Sequence, residues 1–147
     1  MSFSSSSPKR CESSSSVVLL VEDHDGYRRI VRQALECFLP AWTVCEADSV
    51  LAAKEVLRTG EVTVVVCDLT LPDGSATDLV GLLPSLTTKE PRVIIFSNHS
   101  AESLESLRGF HQVHDCLTKE RGLKELASII EHAAAYRGPV KGTANAN

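Results

Sequence analysis

Apolar and polar positions along this chain fall into short blocks that switch between unbroken runs and helical spacing. Val17-Val-Leu-Leu-Val21 is a continuous apolar run, the pattern of a strand buried on both faces of a parallel sheet. Tyr27, Ile30, Val31, Ala34, Leu35 and Phe38 then recur at helical spacing and predict an amphipathic helix closed by Pro40. Trp42–Cys45 reads as a weaker second strand, and Leu51–Leu57 as a helix ended by Gly60. Val62–Cys67, rich in β-branched residues, is the clearest strand. Leu71-Pro-Asp-Gly74 predicts a turn, and Ser75-Ala-Thr-Asp78 has the form of a capping box before a short helix, Leu79–Leu83. Val93–Phe96 gives a fourth strand, and Leu104, Leu107 and Phe110 mark a fourth helix. Val113–Leu117 is more polar and suits a sheet edge, while Leu123, Leu126, Ile129, Ile130 and Ala133 stripe a fifth helix. Five β-α units of this kind imply a doubly wound α/β fold, a parallel sheet covered by helices on both faces.

The ends of the chain differ from this middle. Nine of the first sixteen residues are Ser, so residues 1–16 are expected to be a flexible tail, and Arg137–Asn147 a second one. The 120 residues between them suffice for one core and leave no room for an output domain. Fifteen Lys and Arg against nineteen Asp and Glu give a net charge of −4, which excludes a strongly basic protein held on nucleic acid by phosphate contacts. The longest apolar run, five residues, is far below the roughly 20 that a membrane-spanning helix needs. The serine-rich N-terminus lacks the pattern of a secretory signal. Cys11, Cys37, Cys45, Cys67 and Cys116 are odd in number and form no Cys-x-x-Cys pair, so most are expected to be small buried hydrophobes of a cytoplasmic protein.

In an open α/β sheet, ligands bind beyond the carboxyl ends of the strands. Glu22 and Asp23 follow the first strand, Asp68 the third and Ser97 the fourth, and Lys119 lies two residues past the fifth. Three carboxylates brought within roughly 4–5 Å repel by about 4 kcal/mol per pair at an effective dielectric of 20. A hard divalent cation offsets that repulsion, and Mg2+ suits a site of one or two carboxylates that keeps room for a phosphoryl oxygen. Lys119 then acts as a point charge for a phosphoryl group and Ser97 as a hydrogen-bond donor to it. Asp68 is the candidate nucleophile, able to form an aspartyl phosphate.

Val21-Glu-Asp-His24, Cys67-Asp-Leu-Thr-Leu-Pro-Asp-Gly74, Phe96-Ser97 and Leu117-Thr-Lys119 resemble, in order and spacing, the signature of receiver domains of two-component response regulators. The resemblance covers about residues 17–136 and implies a stand-alone receiver with a flavodoxin-like sheet of strand order 2-1-3-4-5 and five helices. It implies Asp68 as phosphoacceptor, supplied by a histidine kinase or phosphotransfer protein. It implies Mg2+ held by Glu22, Asp23, Asp68 and the backbone carbonyl of Thr70, with Ser97 and Lys119 binding the phosphoryl group. It further implies a phosphoprotein rather than an enzyme, able to phosphorylate and dephosphorylate itself with Mg2+. Output then passes through altered protein–protein binding to a downstream partner, with homodimerisation on phosphorylation as one form of it.

Several positions depart from the family pattern. Cys116 stands where an aromatic switch residue is usual, Asn98 where a small residue is usual, Glu120 where Pro is common and Ala76 where Gly is usual. Thr70 and His99 are expected to flank the phosphoryl group and, with Asn98 and Cys116, to tune its lifetime and readout. His24, His111, His114 and His132 have no ligand-like spacing and read as surface or packing residues. Two other readings compete. A degenerate receiver would serve as a phosphorylation-independent interaction module. A phosphatase built on a strand-end aspartate needs a second acid two residues on, where this chain has Thr70.

Overall fold

The computed structural model describes residues 16–99 and 101–136. The expected tail at 137–147, Cys11 and residues 1–15 lie outside the described residues, whereas Ser16, expected in the tail, opens the first strand. In chain order the elements are β1 (Ser16–Val21), α1 (Asp25–Phe38), β2 (Trp42–Ala47), α2 (Val50–Leu57) and β3 (Val64–Cys67). A two-stranded hairpin, β4 (Thr70–Leu71) with β5 (Gly74–Ser75), leads into α3 (Ala76–Leu86). Next come β6 (Arg92–Ser97), α4 (Ala101–Glu105), β7 (Val113–Thr118) and α5 (Leu123–Ala135). The main sheet is parallel, ordered β2-β1-β3-β6-β7, which is the doubly wound order expected once the hairpin is set aside. Among the described residues no helix is long and apolar enough to cross a membrane.

Why the unbroken apolar runs form central strands is visible in how they divide. Leu19, Val21, Val65, Cys67, Val93 and Ile95 pack on one face against Ala53 and Leu57 of α2, Leu79 and Leu83 of α3, and Leu104. Val18, Leu20, Val64, Val66, Ile94 and Phe96 point to the opposite face, against Val31 and Leu35 of α1 and Leu126 and Ile130 of α5. Successive strand residues alternate faces, so a run with no polar break is the only pattern that serves two cores.

Several boundaries differ from the sequence reading for physical reasons. β3 begins at Val64, because Thr63 donates its amide to the Val17 carbonyl and accepts from the Val17 amide on its hydroxyl at the sheet entrance. The fourth helix is the main correction. It is α-helical only over Ala101–Glu105 and tightens to a 3-10 turn at Ser106–Gly109. The three-residue period of that turn aligns Leu104 with Leu107, both buried, and then releases Phe110 to an extended conformation, 39% exposed. On α1 the buried stripe is Val31 and Leu35, whereas Ile30 and Phe38 fall off its edges and face solvent. Of the four described cysteines, Cys67 and Cys116 are buried, Cys45 is half-buried and Cys37 is exposed, so the expectation of burial holds for two.

The hairpin after β3 is docked by its turn. Asp73 accepts from the amides of Val50 (2.8 Å) and Leu51 (3.0 Å), capping α2 from outside its own segment, while Ser49 caps the Ala52 amide. Those amides hold the Asp73 carboxyl below the usual range. Gly74 is required beside it, because a Cβ there would lie 2.9 Å from Asp78 Oδ2 and 3.1 Å from Val50 Cγ2. Gly74→Ala is therefore expected to lower the urea midpoint, and Gly81→Ala, where a Cβ meets nothing, to leave it unchanged or raise it.

Glu46 on β2 ties α1 to the sheet edge by accepting from Arg32 and from Arg28 Nε at 2.8 Å. Those guanidinium bonds, Arg32's first, hold its carboxyl below the ordinary glutamate value. A lowered folded-state pKa gives stability that is present above the unfolded value and is lost as pH falls through the folded one. Glu46→Gln is therefore expected to cost about 1 kcal/mol at pH 7 and progressively less as pH drops below about 4. Urea unfolding of both proteins at neutral and acid pH checks this.

Candidate acidic phosphoryl-transfer site

The candidate residues meet at the carboxyl end of the sheet because two backbone bonds extend its ladder beyond the strands. The Glu22 amide donates to the Ala47 carbonyl at 3.0 Å, and the Asp68 amide donates to the Val21 carbonyl at 3.1 Å. Each acid is thus fixed at the point where its strand stops. One carboxylate oxygen from each of Glu22, Asp23 and Asp68 lies within 4.8 Å of the others. Glu22 is buried, Asp23 is exposed and Asp68 is half-buried.

Lys119 supplies the counter-charge. It follows β7 directly and donates from Nζ to Glu22 Oε1 at 2.9 Å and to Asp68 Oδ2 at 3.3 Å. Burial pulls its ammonium pKa down, but Glu22 and Asp68 outweigh burial and leave it above the ordinary lysine value. The remaining oxygens are occupied as well: Glu22 Oε2 accepts from the His24 amide at 3.1 Å, and Asp68 Oδ1 from the Leu69 amide at 2.7 Å. Three acids against one ammonium leave an excess of negative charge on oxygen donors alone. That donor set fits a hard divalent cation such as Mg2+ and does not suit a metal preferring sulfur or imidazole.

A register irregularity places Lys119. β6 and β7 pair Val93 with Val113, then skip a residue so that Ile94 pairs with Asp115 and Ser97 with Thr118. The extra residue, His114, is a bulge, and such bulges re-aim the side chains that follow. It sets the residues that follow back by one position against β6, so Lys119 stands one step past the Ser97–Thr118 pair, where a regular strand would place it two steps past Ser97. His114 Nε2 lies 3.0 Å from His132 Nδ1 of α5, a packing role of the kind expected for both.

The other expected residues are distributed unevenly. Ser97 is buried, and its hydroxyl shares a 2.8 Å hydrogen bond with His99 Nδ1. Asn98 and Glu120 line the open groove above Asp68, about 580 Å³ in volume. Thr70 sits in β4, its side chain exposed and its backbone paired with Ser75. Cys116 is buried among the side chains under α4, and its thiol donates to the Leu104 carbonyl at 3.4 Å. Cys67, behind Asp68, has its thiol pKa pushed far up, by burial first and then by the charges of Asp68 and Glu22, so it carries no thiolate chemistry.

Three residues at the site were hidden in the sequence. Tyr27, which helical periodicity assigns to an apolar stripe, lines the groove with its ring face 4.5 Å from Lys119 Nζ. His24 lines the groove too and caps α1, its Nδ1 accepting from the Tyr27 amide at 3.0 Å. Arg28 donates to the Glu22 carbonyl at 2.8 Å and so holds the strand end. His24 carries the sole signal in the pattern, as a polar residue just ahead of a helix.

The family model for the response regulator receiver domain matches residues 18–131. No curated protein sequence matches the chain. Among solved structures, the non-phosphorylated HemR receiver domain from Leptospira biflexa is 28% identical with a TM-score of 0.70, covering 84% of this chain and 98% of that one. A LuxR-family two-component response regulator from an Aurantimonas species is 27% identical with a TM-score of 0.72, covering 83% and 86%. The response regulator domain of Thermotoga maritima CheB, 23% identical with a TM-score of 0.69 and covering 83% and 98%, shares the fold. With its sheet order, its acid cluster and this match in agreement, the chain belongs to the response regulator receiver domains.

Proposed function

We propose that Asp68 is the phosphoacceptor of this receiver domain and that its donor is a histidine kinase or phosphotransfer protein. The carrying observation is the Lys119 ammonium, held between Asp68 and Glu22 at the end of the sheet. In the transfer, an Asp68 oxygen attacks the phosphorus of a phosphohistidine. The O–P bond forms as the P–N bond breaks, and the leaving imidazole takes a proton from solvent. Such a transfer needs alignment and charge neutralisation more than acid–base chemistry. The Leu69 amide orients one Asp68 oxygen and leaves the other facing Lys119, which then pairs with a phosphoryl oxygen. Ser97 donates to the same group after parting from His99.

Glu22, Asp23, Asp68 and the Thr70 carbonyl would hold Mg2+, which when bound neutralises the charge gathered between acceptor and phosphoryl oxygens. Thr70, Asn98 and His99 tune hydrolysis by water, which returns Asp68 to its carboxylate. Phosphorylated Asp68 alters the surface presented to a downstream protein by biasing a two-state element, and Cys116, standing where an aromatic switch residue is usual, tunes that readout. The chain is thus a phosphorylated signalling protein of the cytoplasm and not an enzyme acting on a separate substrate.

Incubating the chain with acetyl phosphate and Mg2+ is expected to add the mass of one phosphoryl group, and EDTA to abolish the gain. An unchanged mass with Mg2+ present would sink this reading in favour of a phosphorylation-independent interaction module.

A further inference from the structure

Lys119 has a flexible four-carbon stem and begins the single turn that follows β7, so its own backbone does little to fix the ammonium. Its two anionic partners, Glu22 and Asp68, are also the oxygens that a divalent cation would take. One further contact does not compete with a metal: the Tyr27 ring, whose face lies 4.5 Å from Nζ, within the range of a cation–π interaction. The ring is itself well placed. His24 fixes the Tyr27 amide, and Arg28, next in sequence, binds the Glu22 carbonyl and the Glu46 carboxylate. α1 therefore carries the ring at a set distance from the strand end.

We propose that Tyr27 is a positioning residue that holds the Lys119 ammonium beside Asp68 through its ring face, so that the amine stays in place when Glu22 and Asp68 turn to a divalent cation. This rests on the phosphoacceptor reading above. The interaction needs the aromatic face and not the phenol oxygen. Burial, the first cause, raises the phenol pKa and keeps the ring neutral, which suits a partner that should neither bind metal nor neutralise the lysine.

Two measurements on the full chain test it. By NMR, the Lys119 side-chain methylene beside Nζ, assigned by loss in Lys119→Met, is expected to show a ring-current upfield shift in the wild type and in Tyr27→Phe. The shift should vanish in Tyr27→Leu and Tyr27→Met, two variants that guard against one failing to fold. With acetyl phosphate and saturating Mg2+, Tyr27→Phe should transfer within about twofold of wild type, and the Leu and Met variants on the order of tenfold slower. The proposal is overturned if Tyr27→Phe is as slow as Tyr27→Leu, if Leu and Met transfer at the wild-type rate, or if the shift survives in them. A wild type that takes no phosphoryl group would instead sink the phosphoacceptor reading, and the NMR result would still decide the ring contact.

Discussion

Asp68→Asn is expected to abolish phosphorylation by acetyl phosphate, with no mass gain where the wild type shows one. The amide keeps the size of the carboxylate and can still accept from the Leu69 amide, so the loop after β3 retains its local hydrogen bond. What it loses is the anionic oxygen that faces Lys119 at 3.3 Å. A neutral amide oxygen is a poor nucleophile toward phosphorus, and the loss should reach several orders of magnitude in rate. Folding should survive without Mg2+, because removing one of three clustered carboxylates relieves like-charge repulsion that offsets the lost attraction to Lys119. Urea midpoints measured in EDTA, beside the mass assay, would separate loss of the acceptor from loss of the fold. Retained phosphorylation in Asp68→Asn would place the acceptor elsewhere.

Lys119→Met is the second large effect, read in stability. Glu22 is 4% exposed, and among the described residues its carboxylate has one charged side-chain partner, Lys119 at 2.9 Å. Methionine keeps the length of the stem and removes the charge, leaving a buried carboxylate next to two others. Breaking a buried pair in this way costs about 3–5 kcal/mol, a large part of the roughly 5–15 kcal/mol that holds a domain together. Mg2+ should restore part of the loss, because a ligand that binds only the folded state stabilises it by mass action. The expected result is a urea midpoint well below wild type in EDTA that rises more steeply with Mg2+ than the wild-type midpoint does. Equal responses of the two proteins to Mg2+ would show that Lys119 and the cation do not share the same carboxylates.

Much of the site was legible because strand ends are easy to find. Val17–Val21 stops at Glu22, Val64–Cys67 stops at Asp68, and Val93–Phe96 leads into Ser97, so the polar residue after each apolar run is the candidate. Tyr27 was not legible, since a helical stripe scores an aromatic ring as core whether it meets Leu126 or a lysine. Arg28 was hidden because its target is a backbone carbonyl, which has no sequence signature. The fourth helix was misread for a related reason: Leu104 and Leu107 are both buried, but the spacing of three that links them is shared by α and 3-10 turns.

The sequence by itself determined the layer order and the chemistry: unbroken apolar runs demand a sheet covered on both faces, and acids at the ends of those runs demand a counter-charge. Only the tertiary structure decided how that counter-charge arrives. Val113 and Cys116, an odd number of positions apart, should face opposite sides of a regular strand, yet both lie in the core beneath α2, α3 and α4. The bulge at His114 reconciles them, and the same extra residue draws Lys119 back by one position along β6, to where it meets Glu22 and Asp68. A strand's period of two is written in its own residues, whereas a skipped register is set by the pairing with its neighbour, here β6, and no reading of β7 alone contains it.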